Sequence, residues 1–403
     1  MKSLVIGAGY AGLSAATALV AAGRDVTVLE ARDRVGGRAW SQRLDNGAVI
    51  ERGAEFIFPG EHTIRQLAAE YRVPVLSHGV LYERRTLNGT RVSWDQLLED
   101  EHLVLDTAQG LAADATASVE DAFKAAFGDG YQQNSYFRRY ATSASADPAL
   151  VSVHSLLRPT SGPLIEDGGH MLGGNQALAI AMAASLGERV HLSTPVTSIE
   201  LSSDQVSVIT ASGNRFSADE LVVAVPLPLL SELQWSFSLP PTVTTALAHR
   251  GMGDATKCSV ELAEDVADSA RQFSTEFSWT WQSQNLSAAA RVPALTGFTG
   301  GLSAARYAGP GGGALWLEDV RELQGSLSTA GEPVVTAWKN DPWTRGSYSH
   351  AIVGWNPADG KAFDEPIEGR ITFAGEHVSA TATLNGAAKS GLDAADRLLR
   401  AHR

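Results

Sequence analysis

The sequence predicts an α/β protein in which a Rossmann-like domain with a parallel sheet is interrupted by an inserted α+β domain. A strand, a glycine-rich turn, a helix and a second strand follow one another at the N-terminus, as in βαβ units. Apolar strand segments return after residue 190 and after residue 371, and the segments between them differ in character. We assign residues 1–75, 160–235 and 336–403 to the Rossmann-like domain and residues 76–159 and 236–335 to the inserted domain.

The N-terminal unit carries a dinucleotide-binding pattern. Residues 2–6 are an apolar run, GAGYAG follows at 7–12, a helix is predicted over 13–22, and the next strand, 25–29, ends at Glu30. In this pattern Gly7 permits a tight turn, Gly9 lets a pyrophosphate approach the backbone, and Gly12 lets helix and strand pack closely. The helix N-terminus offers N–H groups to the phosphates, and Glu30 can accept hydrogen bonds from ribose hydroxyls. This unit alone is compatible with NAD or FAD.

Composition narrows the class of protein. The chain has 403 residues, of which 44% are hydrophobic, enough for two or three cores, and its formal net charge is -13, which disfavours nucleic acid and anionic membranes as partners. A single cysteine, Cys258, permits no intrachain disulfide. The first strand starts at residue 2 and leaves no room for a signal peptide, and no apolar run is long enough to span a bilayer. We therefore expect a soluble, cytoplasmic protein with no nucleic-acid or membrane partner and no metal site.

The remaining segments are assigned in chain order from their periodicity and turn residues. Early segments are two strands flanking the turn Asn46-Gly47 (39–44 and 48–50), a helix (62–71), strands between 81 and 92 around the turn Asn88-Gly89, and helices at 95–112 and 119–126. Residues 168–176 lead into a helix that ends at 186. Strands are then predicted at 190–200, 205–211, 215–216 and 220–225.

Three further segments carry specific expectations. The aromatic residues of 131–140 are interpreted as core rather than pocket lining, and the acidic run 99–101 as a solvated face. Residues 309–313 are Gly-rich and contain a proline, so we predict a loop there. Lys257 enters an apolar strand after a glycine-containing turn, which is unusual because such strands favour β-branched residues.

Several motifs together resemble those of flavin-dependent amine oxidases, the family of monoamine oxidases, polyamine oxidases and lysine-specific histone demethylases. VLEARDRVGGR at 28–38 resembles their second glycine motif, which nicotinamide dehydrogenases lack. ERGAEFI at 51–57 resembles the segment that passes close to the flavin. TAWKNDPWTRGSYS at 336–349 resembles the motif W-x-x-D-P-x-x-x-G-S-Y, and ITFAGEH at 371–377 is similar to the family's last strand. The resemblance implies FAD as the cofactor and a glutathione-reductase-type FAD-binding domain, with the inserted domain as a substrate-binding cap.

The resemblance also implies roles for individual residues. Cofactor contacts are expected from Gly7, Gly9, Ala11, Gly12, Glu30, Ala31, Arg32, Gly37, Arg38, Gly53, Ala54, Glu55, Phe56, Val196, Trp338, Gly375, Glu376, Thr383 and Leu384. Lys257 is expected to reach the flavin N5 through a water, Trp338 to pack beside the flavin, and Tyr348 to form the first wall of an aromatic cage. Thr383 takes the second cage position, as in the histone demethylases. Because Ser347 stands where mitochondrial monoamine oxidases carry their flavin-bonding cysteine, we expect FAD to be held non-covalently.

The implied reaction is the oxidation of a small-molecule amine by hydride transfer to FAD, with hydrolysis of the imine and reduction of O2 to H2O2. An L-amino-acid oxidase is the first alternative, although Phe56 replaces the arginine those enzymes use; Arg138 or Arg139 could substitute for it. A desaturase-type flavoprotein and a non-catalytic binding module of this fold are further alternatives. Histone demethylation is disfavoured, because the chain has no tower-like helical hairpin and is acidic. The identity of the amine and the oligomeric state are not specified by the sequence.

Overall fold

The computed structural model describes residues 1–78, 80, 85–87, 90–157, 168–264, 266, 270–283 and 293–402. The predicted turn at Asn88-Gly89 and much of the predicted 81–92 strand region lie outside them.

The strands are β1 Lys2–Ile6, β2 Asp25–Leu29, β3 Ser41–Arg43, β4 Val49–Glu51, β5 Val75–Ser77, β6 Thr86–Leu87, β7 Thr90–Arg91, β8 Gly169–Met171, β9 Val190–His191, β10 Val196–Leu201, β11 Val206–Thr210, β12 Arg215–Ala218, β13 Glu220–Val223, β14 Gln234–Trp235, β15 Arg250–Met252, β16 Ala255–Leu262, β17 Arg271–Gln272, β18 Ser278–Ser283, β19 Ala294–Gly300, β20 Thr329–Ala337, β21 Ser349–Ala351 and β22 Ile371–Phe373. The α-helices are α1 Tyr10–Ala21, α2 His62–Glu70, α3 Trp94–Leu111, α4 Val119–Phe127, α5 Ser135–Ala144, α6 Ala177–Leu186, α7 Leu227–Leu230, α8 Pro241–Ala248, α9 Gly312–Gln324 and α10 Leu384–Ala401.

A parallel five-stranded sheet in the order β22-β13-β1-β2-β9 carries the N-terminal unit. Alternate side chains of a strand point to opposite faces, and both faces of this sheet are covered. Val5 packs in the core formed with α1, α6 and α10. Leu4 and Ile6 pack on the other side, against the four-stranded sheet β12-β11-β10-β14. Burial on both faces explains why β1 reads as a continuous apolar run rather than an alternating one.

A second large sheet, in the order β20-β16-β19-β18-β17-β6-β7, brings Lys257 into the interior. Strand β16 lies between β20 and β19 and is antiparallel to both. Cys258 faces the core that this sheet forms with Trp316 of α9. Lys257, the neighbouring residue of the strand, points to the opposite face and is 3% exposed. Helices α3, α4 and α5 pack together around Phe123 and Phe137 in a separate core.

The structure corrects four assignments from the sequence. Residues 169–171, interpreted only as the approach to a helix, form a strand, β8, that pairs with β5; the helix itself begins at Ala177. The predicted strand over 190–200 is two strands, β9 and β10, in different sheets. Asp100 of the acidic run is buried, and hydrogen bonds donated by the Gln96 and Asn134 side-chain amides compensate the burial of its carboxylate. Helix α9 begins at Gly312, inside the predicted loop.

The aromatic stretch 131–140 fits both interpretations. Tyr131, Tyr136 and Phe137 are buried in the core of α3, α4 and α5, and Tyr136 also lines the main cavity together with Tyr140. Within the described part of the chain, none of the helices is both long enough and apolar enough to cross a membrane.

Candidate active site

One cavity of about 950 Å³ is lined by one end of the parallel sheet, by a face of the second large sheet and by α5. It gathers nearly every site residue predicted from the sequence. The lining includes Gly7, Gly9, Ala11, Glu30, Ala31, Arg32, Gly37, Arg38, Gly53, Ala54, Glu55, Phe56, Val196, Lys257, Trp338, Tyr348, Gly375, Glu376, Thr383 and Leu384. Gly12 is absent from it, since it packs against the turn: a Cβ added there would lie 1.9 Å from the Gly7 carbonyl oxygen.

The glycine turn before α1 leaves space for a ligand. A Cβ at Gly9 would meet no atom within 4 Å, although Gly9 lines the cavity. The first turn of α1 has no side-chain cap, so its N–H groups can bind an anion in the cavity. Glu30 closes the turn: its carboxylate accepts hydrogen bonds from the backbone N–H of Ala8 at 2.6 Å and of Arg32 at 2.9 Å. These features fit the diphosphate and ribose of a dinucleotide.

Arg38, which is partly buried, and Glu376, which is buried, form an ion pair farther along the cavity. Arg38 Nη1 lies 2.8 Å from Glu376 Oε1 and donates to the Ser347 carbonyl oxygen at 2.7 Å. The other carboxylate oxygen of Glu376 accepts from the Ser349 hydroxyl at 2.7 Å. Burial by itself would raise the pKa of Glu376, but Arg38 and these hydrogen bonds lower it. The Ser347 hydroxyl is buried and makes no hydrogen bond within the described residues, which leaves it available to a ligand.

Lys257 sits in a cluster of buried polar groups. Its Nζ donates to the Gly53 carbonyl oxygen at 3.1 Å and forms an ion pair with Glu55. The other oxygen of Glu55 accepts from His78 Nε2 at 2.9 Å and Trp281 Nε1 at 2.8 Å. Burial would raise the pKa of Glu55, but the charge of Lys257 and the contact with His78 lower it to about 2.

Aromatic side chains surround this cluster. Trp338 is buried and donates its indole N–H to the Arg52 carbonyl oxygen at 2.9 Å. The Tyr348 hydroxyl lies 2.7 Å from the Ser145 hydroxyl, just after α5, and burial raises the pKa of Tyr348 to about 12. Thr383 is the N-cap of α10, and its hydroxyl accepts from the Gly386 N–H at 3.2 Å. Its side chain is therefore held by the helix terminus.

Some site residues were missed by sequence reasoning. Trp279, Trp281 and Phe298 line the cavity from β18 and β19, and their alternation along strands was the only available signal. His78 carries no motif. Asp341 lies in a recognised motif, but its partner could not be predicted: it receives both Nη groups of Arg32, at 2.9 and 2.6 Å.

The two arginines considered as carboxylate ligands are placed differently. Arg138 donates to the carbonyl oxygens of Phe273 and Glu276 at 3.2 and 2.9 Å and is not part of the cavity wall. Arg139 lines the cavity.

Comparison with known sequences shows related proteins over nearly the whole chain. Lysine-specific histone demethylase 1 homolog 2 of Arabidopsis thaliana is 27% identical, with 98% of this chain and 58% of that protein covered. Polyamine oxidase 4 of Oryza sativa subsp. japonica is 28% identical, with 98% and 87% covered. Putrescine oxidase of Kocuria rosea is 31% identical over 62% of each protein. The chain thus spans little more than half the length of the demethylase relative.

Solved structures of the same fold include two amine oxidases. A putrescine oxidase bound to putrescine superposes with a TM-score of 0.84 at 22% identity, covering 99% of both chains. Cyclohexylamine oxidase from Brevibacterium oxydans gives a TM-score of 0.84 at 20% identity, covering 100% of this chain and 99% of that one. The family model for flavin-containing amine oxidoreductases matches residues 10–399. With this match and the cavity described above, the chain belongs to the flavin-containing amine oxidoreductase family.

Proposed function

We propose that this protein is an FAD-dependent amine oxidase that acts on a small-molecule amine. The observation that carries the proposal is the continuity of one cavity from the glycine turn at Gly9 to Lys257 and Tyr348. Family membership implies FAD as the cofactor. When bound, FAD would accept a hydride from the α-carbon of the amine and pass the two electrons to O2, giving H2O2.

We propose that the Rossmann-like part of the chain, of glutathione-reductase type, holds FAD. Its diphosphate would lie at the N-terminus of α1, and its ribose would meet Glu30. Arg38 and Glu376 would bind the middle of the cofactor, and Val196 would meet its adenine side. We also propose that residues 76–159 and 236–335 form the cap over the substrate. A cytoplasmic location is compatible with Cys258 as the single cysteine.

The substrate end of the cavity is suited to a neutral amine. Tyr348 and Trp338 present aromatic surfaces, which attract an ammonium weakly and release it more easily than a carboxylate would. Glu55 is already paired with Lys257. Lys257 would orient a water beside the reacting atoms, and the small Thr383 side chain would widen the site where other family members carry an aromatic ring. The product imine would then be hydrolysed by water.

The linkage to FAD is proposed to be non-covalent. Ser347 occupies the position of the flavin-bonding cysteine, and Cys258 packs in the core with Trp316, away from the cavity. Precipitation with acid should therefore release all flavin into the supernatant. Flavin retained in the pellet would contradict this assignment.

The proposed function is tested by anaerobic titration of the purified holoenzyme. Primary, secondary, poly- and aromatic amines are added in turn, with L-amino acids as a separate set. At least one amine should bleach the flavin absorbance, and Lys257→Met should slow one flavin half-reaction markedly in stopped flow. Bleaching by amino acids alone would favour the L-amino-acid oxidase alternative, and bleaching by none of the compounds would refute the proposal.

A further inference from the structure

Glu55 has both carboxylate oxygens directed at protein groups rather than at open cavity. One oxygen pairs with Lys257, and the other accepts hydrogen bonds from His78 and Trp281. The side chains of Glu55 and Lys257 are 5% and 4% exposed. A buried carboxylate is stable as an anion only when it is paired and hydrogen-bonded, and this one has three partners.

The ion pair restricts what Lys257 can do. A lysine ammonium has three N–H donors. Within the described residues, one is directed at Glu55 and a second at the Gly53 carbonyl oxygen. The Lys257 nitrogen also lies 5.5 Å from the centre of the Trp281 ring, close enough for a cation–π contact. One N–H therefore remains for a group in the cavity, and its direction is fixed by the other two.

We propose that Glu55 is a positioning residue, which holds Lys257 against the Gly53 carbonyl and sets the net charge that Lys257 presents to the flavin end of the cavity. This inference rests on the proposed function, in which Lys257 acts beside the flavin. His78 and Trp281 serve the same end, because their donors prevent the Glu55 carboxylate from turning away from Lys257.

The surrounding titratable groups make Glu55 the main compensating anion. Glu51, His78 and His170 are the other ionisable side chains that interact with this pair. Burial raises the pKa of Glu51 to about 8, so it is largely neutral at pH 7. Burial, together with His78, lowers the pKa of His170 to about 3, so His170 is neutral as well. Removing the charge of Glu55 should therefore leave the positive charge of Lys257 poorly balanced.

The test compares holoenzymes carrying Glu55→Gln, Lys257→Met and both changes. The first readout is the midpoint potential of the bound flavin, measured against a reference dye without substrate. Glu55→Gln should shift it to more positive values, because the remaining positive charge favours the reduced, more anionic flavin. Lys257→Met should shift it to more negative values, and the double variant should lie between them.

The second readout is the rate of each flavin half-reaction. Glu55→Gln should slow the half-reaction that depends on Lys257 by about 10- to 100-fold, the range expected for a displaced catalytic group. It should not slow that half-reaction further in the Lys257→Met background. The matched control is Asp319→Asn, which removes a carboxylate that pairs with Arg306 and accepts from the Tyr307 hydroxyl; none of these three residues lines the cavity. This control should keep wild-type potential and rates.

The inference is overturned if Glu55→Gln leaves the potential and both rates at wild-type values, or if its rate effect simply adds to that of Lys257→Met. If Glu55→Gln does not fold, Trp281→Phe removes one donor to Glu55 and keeps an aromatic ring. Glu55 keeps its charge in this variant but is held less firmly, so the half-reaction that depends on Lys257 should slow, and unchanged rates would equally overturn the inference. A wild-type protein that oxidises no amine would refute the proposed function alone, since the potentials still report on the Glu55–Lys257 pair.

Discussion

Two buried glutamates, Glu51 and Glu55, lie four residues apart in the sequence, but their pKa values are shifted in opposite directions. Glu51 accepts hydrogen bonds from the Asn175 backbone N–H at 2.5 Å and the Ser41 hydroxyl at 2.9 Å, and it has no cation in direct contact among the described residues. Burial therefore raises the pKa of Glu51 to about 8. Glu55 is buried to a similar degree, but its ion pair with Lys257 offsets burial and lowers its pKa to about 2. The presence of a paired cation decides the difference.

We expect Glu51→Gln to change how stability depends on pH. The pKa of Glu51 is raised on folding from its ordinary value of 4.5. Its contribution is therefore fully present below pH 4.5 and is lost as the pH rises to about 8, because the unfolded chain ionises first. Between pH 5 and pH 8, the free energy of unfolding of Glu51→Gln should rise relative to that of the wild type by on the order of 3–4 kcal/mol. Thermal unfolding of the holoenzymes across this range measures the gain.

The control for this experiment is Glu318→Gln, on an exposed position of α9. Its midpoint of unfolding should follow the wild type at every pH. If the midpoints of unfolding of Glu51→Gln and the wild type changed in parallel with pH, Glu51 would not titrate between pH 5 and pH 8.

The Arg32–Asp341 pair joins the N-terminal unit to the segment that follows β20, and Arg32 lines the cavity. Its side chains are 11% and 15% exposed, and two N–H groups of the guanidinium meet the two carboxylate oxygens, the strongest arrangement for such a pair. Burial opposes ionisation of Asp341, but Arg32 lowers its pKa. The Arg32 backbone N–H also binds Glu30, so the pair steadies the turn at which the ribose is expected.

Asp341→Asn should weaken FAD binding about tenfold, equivalent to about 1.4 kcal/mol, while the turnover rate at saturating FAD stays close to wild type. Fluorescence titration of the apoprotein with FAD measures the affinity. Glu200→Gln is the matched control, because it breaks an ion pair with Arg215 in which both side chains are over 40% exposed, and such pairs contribute little. Equal affinities for Asp341→Asn and wild type would contradict this assignment.

Local spacing in the sequence was sufficient to predict several of the residues that share the cavity. Gly9, Glu30 and Arg38 stand in short motifs, and the structure places them in one cavity. Lys257 became recognisable only through its neighbouring motifs, because an isolated strand lysine is usually solvent-exposed. His78 and Trp281 could not be found, since their partner, Glu55, is distant in the sequence from Trp281 and the contact depends on how the second large sheet packs.

At the scale of elements, Gly9 and Gly12 in the turn between β1 and α1 are glycines for two different reasons. Gly12 is packed against the turn itself, where a methyl group would collide with the Gly7 backbone. Gly9 has an extended backbone conformation that any residue can adopt, with φ -77° and ψ -179°, and its open side faces the cavity. Packing therefore requires glycine at 12, whereas only a ligand would require it at 9.

Gly9→Ala and Gly12→Ala should consequently fail in different ways. Gly12→Ala should fold poorly or lower the midpoint of unfolding even without FAD, because overpacking costs about 1–3 kcal/mol or more. Gly9→Ala should fold with an apoprotein midpoint close to wild type but bind FAD at least tenfold more weakly. Circular dichroism melts of the apoproteins and FAD titrations distinguish these outcomes. Tight FAD binding by Gly9→Ala would place the diphosphate elsewhere.

Elements with strong local signals were predicted well, and those that depend on a partner were not. Strand β1, strand β2 and helix α3 agree with their sequence patterns within a few residues. Strand β8 is short and was taken as the approach to a helix, because its strand conformation comes from pairing with β5 across a long stretch of chain. The 190–200 segment was divided by the turn at Ser193, whose φ of +51° interrupts the extended backbone.

At the scale of the whole molecule, the cavity is the place where both large sheets and α5 meet. Gly9 and Glu30 reach it from the parallel sheet, Lys257 and Trp281 from the second large sheet, and Ser143 from α5. A cofactor held there contacts both parts of the chain at once. Its binding should therefore stabilise the molecule as a unit rather than one sheet alone.

We expect removal of FAD to lower the midpoint of thermal unfolding for both sheets together. A ligand that binds only the folded state adds about 2.7 kcal/mol at a free concentration 100 times its dissociation constant. The midpoint of the wild type should thus rise steadily with added FAD, and near-ultraviolet signals from Trp279 and Trp281 should melt with the far-ultraviolet signal. Gly9→Ala is the control, since FAD at the same concentration should raise its midpoint much less. If the second large sheet unfolded with a midpoint that did not depend on FAD, the cofactor would be held by the parallel-sheet part alone. Lys257 would then not reach it.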